Sequence, residues 1–332
     1  MIQHPGILAL LTASLTISLL LLAASWHGLR ILRFWDLGSG SERQLALEQR
    51  TYLITTILGY ALLFQILSLF LFIYTADDLH TVFTGAMCAA GTLQANQYGY
   101  PTLLLKLLNC LLAGGWLILN HADNQGYDYP LIRPKYLLVV LMTALVLTET
   151  VLLFSYVLNL QGNLITSCCG SLFSSEQPGI TGELAGLSHW TMAIWFGVSS
   201  LVALASGGWF VLTGRGGWLF SLASSLFMVS ALAAIISFIS LYYYELPTHH
   251  CPFCILQREY QAVGYPLYAA LLGGGISGIG VGLVMPARRI VSLASAVPVL
   301  QRRLAQVSLA CMLLFLVMVA VQMLSTDFRL AW

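Results

Sequence analysis

Eight stretches of this chain are too long and too apolar to belong to a protein dissolved in water. They cover roughly residues 6–32, 52–75, 101–121, 136–160, 187–213, 217–245, 255–284 and 304–325. Crossing the hydrocarbon layer of a bilayer as an α-helix takes about 20 mostly apolar residues. The charge inventory agrees. Of 332 residues, 58% are hydrophobic and 8% are charged, where a soluble domain carries roughly a quarter. Fourteen basic and 13 acidic side chains cannot coat a water-facing surface of this size, so the solvent is lipid. A net charge of +1 gives no case for a nucleic-acid partner. The sequence predicts an all-α polytopic membrane protein with eight transmembrane helices.

Orientation is read from Lys and Arg, which concentrate in cytoplasmic connections. The connections after the first, third, fifth and seventh spans hold Arg30, Arg33, Arg43, Arg50, Arg133, Lys135, Arg215, Arg288, Arg289, Arg302 and Arg303, 11 of the 14 basic residues. The connections after the second, fourth and sixth spans hold none. Odd connections are therefore expected in the cytoplasm and both termini outside, which in a bacterium is the periplasm. Met1 to Pro5 carries no basic residue, so the first run is read as a retained helix and not as a cleaved leader.

Placed on that map, the seven cysteines separate. Cys88 falls in the outer segment 76–100, Cys168 and Cys169 in 161–186, and Cys251 and Cys254 in 246–254. None falls in a cytoplasmic connection. Cys110 and Cys311 lie inside spans and read as small buried hydrophobes. An oxidising outer compartment is where disulfides persist, so topology and cysteine placement agree.

The sharpest local feature is His249-His250-Cys251-Pro252-Phe253-Cys254-Ile255-Leu256-Gln257-Arg258. Two cysteines with two residues between them can close a small reducible ring. The motif is expected to open a helix, whose N-terminal partial charge stabilises a thiolate. Arg258, four residues past Cys254, is expected one turn deeper on the same face, where it could stabilise a thiolate, a reduced quinone or a headgroup phosphate. Other readings of the pair are a structural disulfide or a zinc site drawing on Cys251, Cys254, His249 or His250 and one further ligand. A c-type haem attachment is excluded, because Ile255 stands where that motif needs His.

Cys-Pro-Phe-Cys-Ile-Leu-Gln-Arg resembles the quinone-coupled motif of the DsbB family, bacterial membrane proteins that reoxidise periplasmic thioredoxin-fold oxidases. The resemblance implies that Cys254 faces a quinone (ubiquinone or menaquinone), that Arg258 helps to bind it, and that Cys251 exchanges with a second cysteine pair. The order of elements is similar to the vitamin K epoxide reductase family, in which shuttle cysteines precede two further spans and a Cys-x-x-Cys opens the next. Cys168 and Cys169 take the shuttle place here, although in that family the pair is separated by several residues. A disulfide between neighbours closes a strained ring and is easily reduced. Alternatively one of the two pairs with Cys88, or both bind a soft metal. The resemblance divides the chain into a three-span region over 1–135, a four-helix redox core over 136–284, and a last connection and span over 285–332.

Four features remain. The segment 76–100 reads as a cap over the redox site, a docking surface or an ordinary loop around a buried cysteine. His80, His189, His249 and His250, with Cys88 and Met87, are compatible with copper or another soft metal. Glu149, midway through the fourth span, is a candidate proton relay or a partner for Lys106, since an intramembrane carboxylate is a functional candidate by default. Tyr242, Tyr243 and Tyr244 with Trp190 read as an interfacial aromatic belt. The leading expectation is an inner-membrane oxidoreductase passing electrons between an outer thiol protein and a quinone. The competing expectations are a soft-metal-binding membrane carrier and a membrane anchor for an outer electron-transfer partner.

Overall fold

A computed structural model describes residues 4–36, 38–39, 41–161, 182–183, 186 and 188–330. It is all-α, with no β-strand among the described residues, and eight helical segments are long and apolar enough to cross a membrane. They are Pro5–Phe34, Glu42–Val82, Gly99–Asp123, Ile132–Leu158, His189–Thr213, Gly217–Tyr244, Gly264–Arg289 and Ala296–Ser325. The protein is thus a multi-pass membrane protein. Side chains such as Trp195, Leu201 and Leu212 point outward in the lipid-facing manner that such helices require. Each expected run overlaps one of these helices, although the second helix starts ten residues before its run and the eighth starts eight before. The seventh begins at Gly264, nine residues later than the run at 255–284 suggested, and the difference falls on the cysteine motif.

The regular elements are α1 (Pro5–Phe34), α2 (Glu42–Asp78), α3 (Ala89–Leu93), α4 (Gly99–Asp123), α5 (Ile132–Leu158), α6 (His189–Thr213), α7 (Gly217–Ala234), α8 (Ser240–Tyr244), α9 (Gly264–Leu283) and α10 (Ala296–Ser325). The chain forms two compact units. One comprises Met1–Phe72, Asn96–Leu160 and Leu283–Leu300, the other Ile73–Ala95, Gln161–Gly282 and Gln301–Trp332. This partition differs from the expected 1–135, 136–284 and 285–332. The fourth span, grouped by resemblance with the redox core, packs instead as α5 against α1 and α4 in the first unit.

In the first unit α5 is held to α4 by two buried ion pairs. Lys106 Nζ lies 2.7 Å from Glu149 Oε1, and Lys135 Nζ lies 2.5 Å from Asp123 Oδ2. The cation sits on α4 in one pair and on α5 in the other, so sliding α5 along α4 breaks both. The apolar core of this unit gathers Leu21, Ile31, Trp116, Tyr136 and Met142.

In the second unit α6 and α7 form a hairpin. It turns at Gly214 and Gly216, whose φ of 70° and 81° are freely open only to glycine. Phe196, Phe227, Phe238 and Phe315 stack edge and face within the unit. The glycines of α9 permit close approach of α7: a methyl on Gly278 would overlap Ser224 Oγ, and one on Gly282 would overlap Ser221 Oγ. Close packing of small residues replaces the hydrophobic effect between helices in lipid.

Candidate functional site: a buried three-thiol centre

The centre lies wholly in the second unit and is built by two irregular segments. The first follows α2. A 3₁₀ turn over Leu79–Val82 leads to Gly85 at φ 90° and then to Cys88, the extended residue that caps α3. All five residues of α3 are buried. The segment 76–100 therefore seals a cysteine inside the unit. The second segment is the motif itself. It does not open a helix: Cys254–Leu256 and Arg258–Tyr260 are separate 3₁₀ turns, with Gln257 extended between them at ψ 157°. The long helix α9 starts only at Gly264, where a side chain would meet the Ile255 carbonyl at 2.9 Å. Arg258 therefore does not share a helical face with Cys254, and it is exposed. Hydropathy could not separate a motif at the head of a helix from one in coil before it, because Phe253, Ile255 and Leu256 are apolar in either case.

These two segments bring three sulfurs together. Cys88 Sγ and Cys251 Sγ are 3.5 Å apart, and the Sγ atoms of Cys88, Cys251 and Cys254 all lie within 4.8 Å of one another. The first two are 0% exposed and Cys254 is 4% exposed. His249 Nε2 stands 3.3 Å from Cys254 Sγ. Cys88, for which the sequence suggested several roles, is in the centre. Cys168 and Cys169 lie outside the described residues. Cys110 is buried in the other unit, as expected of a small apolar residue.

The backbone around the thiols is fixed by side chains. Gln257 Nε2 donates to Met87 O at 2.7 Å and to Asp77 Oδ1 at 3.2 Å, and the same carboxylate oxygen accepts the Ala89 amide at 3.1 Å. Both neighbours of Cys88 are thereby tied to the Cys251 segment. On the other side Tyr244 OH donates to Cys251 O at 2.5 Å and accepts the Ile255 amide at 2.9 Å. Tyr268 OH donates to Pro252 O at 2.7 Å. The Tyr244 ring also meets the edges of His249 and Tyr260, at 4.6 and 4.9 Å between centroids. Tyr244 is thus a scaffold of the motif and not a member of an interfacial belt. Burial, then the neighbouring Cys254 and Glu259, push the Tyr260 phenol above its ordinary pKa.

The other candidate residues divide. His250 Nδ1 donates to Ile236 O at 2.9 Å, a carbonyl in the π-turn Ile235–Ile239, and its ring stacks on His189. It anchors the π-turn that follows α7 and is not one of the clustered sulfur-bearing residues. Glu149 is paired with Lys106 and accepts from Gln65 Nε2 and Asn109 Nδ2, each at 2.6 Å. The pairing with Lys106 that the sequence suggested is present. Gln257 and Asp77 were missed. Their only sequence signal is position: one inside the motif, the other at the end of an apolar run.

Set against known proteins, the chain matches no protein-family model, no curated protein and no solved structure.

Proposed function

We propose that this protein is a membrane thiol–disulfide oxidoreductase whose redox centre is Cys88, Cys251 and Cys254, carrying electrons from an outer thiol protein to a membrane quinone. The observation behind this reading is the 3.5 Å contact between Cys88 and Cys251, with Cys254 in reach of both. Exchange proceeds by thiolate attack on a disulfide sulfur, and three sulfurs at this spacing can exchange partners with small movements.

With Cys251 and Cys254 joined, the Cys88 thiolate attacks Cys251 Sγ. The Cys88–Cys251 bond forms, the Cys251–Cys254 bond breaks, and Cys254 leaves as a thiolate beside His249. A substrate thiolate then attacks Cys88, and Cys251 departs. The second substrate thiol displaces Cys88, which leaves an oxidised substrate and three reduced cysteines. The Cys251–Cys254 dithiol gives two electrons and two protons to the quinone, and quinol and disulfide result. The resemblance gives Cys168 and Cys169 a shuttle role, in which they would relay the exchange from the outer substrate to Cys88. Cys254 is the least enclosed of the three thiols, which favours it as the quinone-facing one. The charge asymmetry of the connections and the resemblance of the motif support a bacterial inner membrane, a periplasmic active face and a thioredoxin-fold substrate.

The test is quinone reduction by the purified protein in nanodiscs supplied with a reduced thioredoxin-fold protein. The expected result is one quinol per substrate disulfide, abolished by Cys251→Ala or Cys254→Ala. Turnover that survives both substitutions would sink the reading.

A further inference from the structure

We infer that the reduced centre is also a binding site for a thiophilic d¹⁰ cation, with Cys88, Cys251, Cys254 and His249 as its four ligands. The inference uses the thiols of the redox reading but stands on donor geometry alone. A tetrahedral zinc ion with Zn–S bonds of about 2.3 Å holds its sulfurs about 3.8 Å apart, and a His nitrogen about 3.6 Å from each sulfur. Here the Cys88 and Cys251 sulfurs are 3.5 Å apart, all three lie within 4.8 Å, and His249 Nε2 is 3.3 Å from Cys254 Sγ but more than 4.8 Å from at least one of the other two sulfurs, so its ring must move to complete the set. Shifts of about an ångström or less complete the sulfur triangle around an ion of this size. The spacing Cys251-x-x-Cys254 is that of paired metal ligands on one tight turn, while Cys88 comes from a separate segment.

The surroundings select the kind of cation. The donor set is sulfur and imidazole, which suits zinc or cuprous copper and excludes hard oxygen-seeking ions. Asp77, the carboxylate of the clamp, is engaged with the Ala89 amide and Gln257. His250 is engaged with Ile236 O. Four protein ligands close the coordination sphere, as in sites that hold a metal without exposing it to substrate. Binding displaces the thiol protons to solvent. Oxidation of Cys251 and Cys254 to a disulfide removes two of the four donors, so metal and disulfide exclude each other. The cation would hold the centre in its reduced form until it is withdrawn.

The experiment uses the full chain carrying Cys110→Ala, Cys168→Ser, Cys169→Ser and Cys311→Ala, reduced and dialysed against Zn²⁺, with metal counted by mass spectrometry. One zinc per chain is expected, with affinity at least tenfold weaker in Cys88→Ser and in His249→Ala. Co²⁺ bound to the otherwise intact site is expected to show thiolate charge-transfer bands and a tetrahedral d–d spectrum, a readout that does not depend on how the Cys88→Ser variant folds. Absence of stoichiometric zinc, or cobalt without thiolate bands, overturns the inference. A second arm oxidises the protein with diamide. If the Cys251–Cys254 disulfide forms but the reduced protein takes no metal, the metal site fails and the redox reading stands. If metal binds but no oxidant joins the two cysteines, the redox reading fails and the metal site stands.

Discussion

Asp77 and Gln257 are 180 residues apart in the chain and meet at 3.2 Å, and between them they hold the carbonyl before Cys88 and the amide after it. Three thiols come together because this pair locks an otherwise irregular segment against another. A contact between two loops needs such a device, since neither has a helix ladder to fix its own backbone. The clamp spends no cysteine side chain.

Loss of the clamp is expected to expose Cys88. Gln257→Leu removes two side-chain hydrogen bonds, each contributing about 1 kcal/mol. Easing local opening by about 2 kcal/mol raises the open population about thirtyfold. Alkylation of Cys88 by a maleimide should accelerate by about that factor, read by mass spectrometry of the Cys88 peptide. An unchanged rate would show that the clamp does not hold the segment closed.

Tyr244→Phe should be more damaging than Tyr268→Phe. The first leaves two buried backbone groups, Cys251 O and the Ile255 amide, without the hydroxyl; the second affects only Pro252 O. A buried group left unsatisfied costs about 1–3 kcal/mol. Thermal unfolding in detergent should place Tyr244→Phe below Tyr268→Phe, and both below the parent protein. The reverse order would mean that the phenols do not support the motif in this way.

The Lys106–Glu149 pair gives a test by double substitution. Lys106→Met leaves a carboxylate buried among Gln65 and Asn109 and should cost about 3–5 kcal/mol. Adding Glu149→Gln removes the stranded charge and should recover part of that loss. Additive losses in the two substitutions would show that the residues do not act as a pair.

Gly278→Leu should disrupt the packing of α7 on α9, because even a methyl there overlaps Ser224 Oγ. Overpacking of this kind costs about 1–3 kcal/mol or more. Gly273→Ala is the comparison, since its added carbon would lie 3.7 Å from Cys311 Sγ in ordinary contact. Equal stability of the two variants would contradict the close approach of the helices.

The spans were legible because the bilayer imposes one length and one polarity on every crossing, and runs such as 136–160 and 304–325 meet both. The motif Cys251-x-x-Cys254 was legible from spacing alone. Its placement before the helix was not, because Ile255 and Leu256 continue the apolar run while the chain turns at Gln261 and Ala262, both at positive φ. Nothing local marks Cys88 as a neighbour of Cys251. That contact is tertiary and depends on Asp77 and Gln257, two polar residues that a single sequence does not distinguish from surface. The Glu149–Lys106 pair was legible, because an ionisable group inside a span needs a partner, although the two residues lie 43 apart on different helices.

The most direct test of the central claim is disulfide mapping in oxidised membranes, with free thiols blocked before digestion. The account predicts a Cys251–Cys254 bond in Cys88→Ser and a Cys88–Cys251 bond in Cys254→Ser, each formed within one chain. Free thiols at all three positions in both variants, or bonds formed only between chains, would contradict it.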